Sequence, residues 1–181
     1  MPEIDNDLLS IQEARTLTVG AREAQKQFLH ASQAEVDRVC AAMAETGRTI
    51  PGITSVFARS PVKLDSYELP CLLALSGAAV YPGADVYGDL LTEQREYRAQ
   101  VVVSAQGQGD IEAIEARAET LLQATAARYL SAPALGTTGL TSQVTGDTGV
   151  IELLSFDGGY IGFEVRLQVT ETRLRTYAPG Q

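Results

Sequence analysis

Apolar and polar positions alternate most clearly between Gly149 and Thr176. Residues 150–156 and 160–169 form two strand-like runs, with Asp157, Gly158 and Gly159 between them. Asp-Gly and Gly-Gly steps tolerate the positive φ angles of a tight turn, so a β-hairpin is predicted here. In the second run Ile161, Phe163, Val165, Leu167 and Val169 fall on one side, and Gly162, Glu164, Arg166, Gln168 and Thr170 on the other. A period of two gives one buried face and one that meets solvent or a neighbour. The polar continuation over residues 171–176 is long enough to leave the domain body. The hairpin is either the spine of a sheet or an arm towards a neighbouring subunit.

The same periodicities place the other elements. Residues 10–29 are helical in composition, with a ragged apolar stripe and Gly20 as a break point. Ser32 and Glu35 have the spacing of a capping box, followed by Val36, Val39, Cys40 and Met43 at helical spacing and by Gly47 as a stop. Residues 50–57 enter a short strand, and 61–70 form a loop. The run Pro70-Cys-Leu-Leu-Ala-Leu-Ser76 is continuously apolar, as in a strand buried on both faces. Residues 77–91 carry glycines, a proline and two tyrosines, and are predicted as an excursion at the sheet edge. A strand over 96–103 follows, with Tyr97, Ala99, Val101 and Val103 on one side. Asp110 is an N-cap for a helix over 111–130, whose stripe is Ile111, Ile114, Ala118, Leu121, Leu122, Thr125 and Tyr129. Residues 135–144 lead into a further strand. From residue 32 the order is α, β, β, β, α, β, β, β. The predicted class is α+β: a mainly antiparallel sheet with two helices on one face, after an N-terminal helical extension. The division is 1–31 for the acidic extension, 32–177 for the domain and 178–181 for the tail.

Composition narrows the function. The 181 residues suffice for a full core. Fourteen basic against 23 acidic side chains give a net charge of −9, which argues against general binding to nucleic acid. Cys40 and Cys71 stand far apart in apolar surroundings and read as buried thiols; no Cys/His spacing suggests zinc. No signal peptide and no apolar span of membrane-crossing length is visible, so a soluble cytoplasmic chain is expected.

Candidate chemistry is sparse. His30 is the single histidine, which limits acid–base and nucleophile arrangements. Gly107 and Gly109 do not form a phosphate loop. Asp85 with Asp89, and Asp147 with Glu152, can form carboxylate pairs, although a solvated acidic surface explains them more simply. The chain is therefore expected to be non-enzymatic, with no cofactor and no metal. Three features look like contact devices instead: the tyrosine-bearing excursion, the mixed-charge end of the last strand and the N-terminal helical segment. Candidate contact residues are Tyr81, Tyr87, Leu90 and Leu91 in the first, and Arg166, Arg173 and Arg175 in the second.

An ordered set of features over residues 50–177 resembles the tail terminator and tail-completion proteins of long-tailed phages. They are Ile50-Pro-Gly-Ile-Thr-Ser-Val-Phe57, Glu68-Leu-Pro-Cys-Leu-Leu-Ala-Leu75, Arg95-Glu-Tyr-Arg-Ala-Gln-Val-Val-Val103, a long helix, and the closing Tyr160-Ile-Gly-Phe-Glu-Val-Arg-Leu-Gln-Val-Thr-Glu171. The resemblance implies a small virion protein, assembled in the host cytoplasm into a hexameric ring. Such a ring caps the tail tube, ends its polymerisation and offers a surface to the head–tail connector, while DNA passes through. An acidic inner wall, in keeping with the net charge, would keep that DNA from sticking. A head–tail neck or stopper protein is the alternative within that class. Separately, Ser10-Ile-Gln-Glu-Ala-Arg15, Ala21-Arg-Glu-Ala-Gln-Lys-Gln-Phe28 and Ser32-Gln-Ala-Glu-Val-Asp-Arg-Val39 resemble the N-terminal helices of CoA-acylating aldehyde dehydrogenases. That likeness implies a domain associated with such an assembly, but neither cysteine lies in the family's nucleophile context, so no catalytic residue is carried over.

Overall fold

The computed structural model describes residues 33–80, 90–155 and 158–174. The chain falls into two compact units, Met1–Arg38 and Val39–Gln181. Of the first, residues 33–38 are described; they open a helix, α1, that spans 33–47. The helix predicted over 10–29, His30, and Ser32 of the predicted capping box lie outside the described residues.

In the second unit the elements follow the predicted order. After α1 come β1 (Ser55–Phe57), a short 3-10 turn (Ser66–Glu68), β2 (Cys71–Val80), β3 (Leu90–Ala105), α2 (Ile111–Leu130), β4 (Leu140–Asp147), β5 (Ile151–Ser155) and β6 (Gly158–Leu174). They form one sheet in the order β1-β2-β3-β6-β4, with β5 also paired to β6. Only β1 and β2 run parallel; every other pair is antiparallel. This is the predicted α+β class, and β6 is its spine, pairing with β3 along one side and with β5 and then β4 along the other.

Alternation assigns the two faces. Leu72 and Ala74 of β2, Tyr97, Ala99 and Val101 of β3, and Phe163, Val165, Leu167 and Val169 of β6 share the face under the helices, and all are buried. α1 supplies Val39, Cys40, Met43 and Ala44, and α2 supplies Ala118, Leu121, Thr125 and Tyr129. These recur every three or four residues, which puts each set on one helical stripe. Each large side chain buried in this layer contributes about 1.5–3 kcal/mol. The Tyr129 hydroxyl donates to the Met43 carbonyl at 3.0 Å, which ties α2 to α1. α2 starts as predicted, with the Asp110 carboxylate accepting from Glu112 N–H at 3.2 Å. Gly47 ends α1, and the reason is packing: a Cβ there would come within 3.1 Å of both methyl groups of Leu72.

The opposite face is divided. At one end Cys71, Leu73, Val102, Leu64 and Leu153 form a second apolar cluster, with Phe57, Leu69, Leu75 and Tyr160 packed around it. The loop from β1 to β2 and strand β5 cover this end. β2 is therefore buried on both faces from Cys71 to Ala74, as its unbroken apolar run predicts. At the other end the face is polar, with Gln94, Glu96, Arg98, Glu164, Arg166 and Gln168.

Three expectations need correction. Strands β2 and β3 run to Val80 and from Leu90, so the two ends of the predicted 77–91 excursion are strand, and residues 81–89 lie outside the described residues. Gly158 and Gly159 belong to β6, pairing with Ser155 and Leu154, and do not form the turn. A Cβ at Gly159 would meet only the ends of the Gln106 and Glu152 side chains, which can swing aside. Val103 does not continue the alternation of β3, since the register shifts between Val102 and Ser104.

Candidate assembly surface

The longest feature of the sheet is the pairing of β3 with β6. It begins at Ala105↔Tyr160 and ends at Leu90↔Leu174. Its described neighbours cover less of it. The last β2 rung on β3 is Val80↔Gln94, and the first β4 rung on β6 is Leu140↔Glu171. The rungs Leu90↔Leu174, Leu91↔Arg173 and Thr92↔Thr172 are therefore unflanked among the described residues. Among the described residues this end of the pair is a two-stranded ribbon; residues 81–89, which follow β2, lie outside the described residues.

This ribbon gathers some of the residues singled out from the sequence. Leu90, Leu91 and Arg173 fall on its rungs, with Leu91 and Arg173 directly opposite each other. Tyr81, Tyr87 and Arg175 lie outside the described residues, as do Asp85 and Asp89. Arg166 is placed elsewhere, on the polar end of the back face, directly opposite Arg98.

Sequence reading missed Arg98, because its position beside Arg166 emerges only from the β3–β6 register. Like charges directly opposite each other destabilise a strand pair unless they are neutralised. Glu164 provides that. Its carboxylate accepts from Arg98 at 3.5 Å and from Gln100 Nε2 at 3.1 Å, while 12% of its side chain is exposed. Further along, Gln168 Nε2 donates to Gln94 Oε1 at 3.4 Å. Hydrogen bonds thus link the polar side chains of β3 and β6 across this face. Asp147 accepts the Gly149 N–H at 2.9 Å and shapes a turn.

Two further surfaces stand out. On the helix side, an open groove of about 300 Å³ is lined by Ala42, Glu45, Arg128, Ala132, Leu135 and Thr137, among others. Arg128 Nε donates to Thr49 Oγ1 at 2.7 Å on its rim. On the back, the loop from β1 to β2 is pinned by buried Leu64 and by Asp65, whose N–H donates to Glu68 at 2.8 Å. Lys63 sits 3.1 Å from the Asp65 carboxylate, which holds that carboxyl below its ordinary range and raises the lysine.

The ionisable groups of the core are poorly placed for chemistry. Burial pushes the Cys71 thiol up to about 12, away from the reactive thiolate, and raises Tyr129 as well. Both cysteines are free and buried, as predicted. Among the described residues no cluster of three or more His, Cys, Asp or Glu side chains could hold a metal ion, and no helix is long and apolar enough to cross a membrane. No family model matches the chain, and no curated protein is significantly similar to it in sequence.

Proposed function

We propose that this chain is a non-enzymatic virion assembly protein of the tail-terminator type. Its copies close into a ring, hexameric in this reading, that caps the tail tube, ends tube polymerisation and offers a joining surface to the head connector. The observation that carries the reading is the β3–β6 ribbon. It runs three rungs past the last described rungs of β2 and β4 and includes Leu90, Leu91 and Arg173. Unflanked strands are a ready template for pairing with another chain.

The test is a tube-growth assay. Purified protein is added to polymerising tail tube protein, and tube lengths are measured by electron microscopy. The proposal expects growth to stop, with the added protein seen at tube ends. It also expects Leu90→Ala, Leu91→Ala and Arg173→Ala combined in one chain to lose that capping while remaining folded. Tubes that grow equally long with and without the protein would sink it.

A further inference from the structure

We draw no further inference here: the strongest candidate, the outer edge of strand β4 at the end of the sheet, carries nothing, because the Pro133 carbonyl already takes the Ser142 N–H, the register breaks before Gly146, and nothing in the structure shows what would pair with the short stretch between them.

Discussion

The two ends of the β3–β6 pair differ sharply. Around Val101↔Phe163 the pair is flanked by further strands and covered by helices, and both residues are fully buried. Around Leu91↔Arg173 the same two strands continue with no flanking strand among the described residues. The backbone pairing is continuous through both ends. One end explains why the chain folds, and the other is where a partner would be of use. Substitutions at the first end should move stability, and substitutions at the second should move assembly.

The strongest way to break that contrast is at Phe163. Truncation to alanine leaves a cavity between the sheet and the helices and should cost about 3–5 kcal/mol in urea unfolding. A loss under about 1 kcal/mol would mean that the core is not where the burial puts it. Next is Gly162, where an added Cβ would overlap the Val101 carbonyl oxygen and lie 2.6 Å from Leu153 Cδ1. Since a backbone atom cannot step aside as a side chain can, Gly162→Ala should cost roughly 2 kcal/mol or more. The same measurement on Gly136→Ala offers a contrast, because a Cβ there meets nothing within 4 Å and only the positive φ opposes it.

Alkaline pH sharpens the picture of the embedded end. The folded-state pKa of Cys71 is raised from 9.0 to about 12 by burial. As pH rises from 9.0 towards 12, the unfolded chain loses this proton before the folded one does. Stability therefore falls across that interval, with a slope of about 1.4 kcal/mol per pH unit from this group. Tyr129, also raised by burial, adds to the fall in the upper part of the range. Cys71→Ala should flatten the slope at the lower end, as read from urea midpoints. The smallest expected effect is at the ribbon: Arg173→Ala should change stability by less than about 0.5 kcal/mol, yet weaken association.

Much of this fold was legible in the sequence, and the exceptions share a cause. α2 was visible because a capping Asp110 precedes a sustained stripe through Ala118, Leu121, Thr125 and Tyr129. β6 was visible because Phe163, Val165, Leu167 and Val169 alternate with polar residues. Both signals are local. The outer parts of β2 and β3 were hidden, because Gly77–Ala78–Ala79 and Thr92–Glu93–Gln94–Arg95 carry no period of two, and these stretches are strands by virtue of their partners. Gly158 and Gly159 looked like a turn because glycine suits one, whereas the structure pairs both with β5 inside β6. Of the candidate surface, Leu90, Leu91 and Arg173 were named from sequence. Arg98 was not, because its place opposite Arg166 appears only once the chain is folded.

Hydrogen exchange of the backbone amides, followed as a function of protein concentration, tests the contrast most directly. In dilute protein the rungs at 90–92 and 172–174 should exchange far faster than those at 97–101 and 163–167, since among the described residues the two strands there pair only with each other. At concentrations where the copies assemble, the ribbon amides should become protected while the embedded ones stay unchanged. Ribbon amides that are as protected as the core in dilute protein, or that stay fast when the protein assembles, would contradict the assignment of this end to a partner.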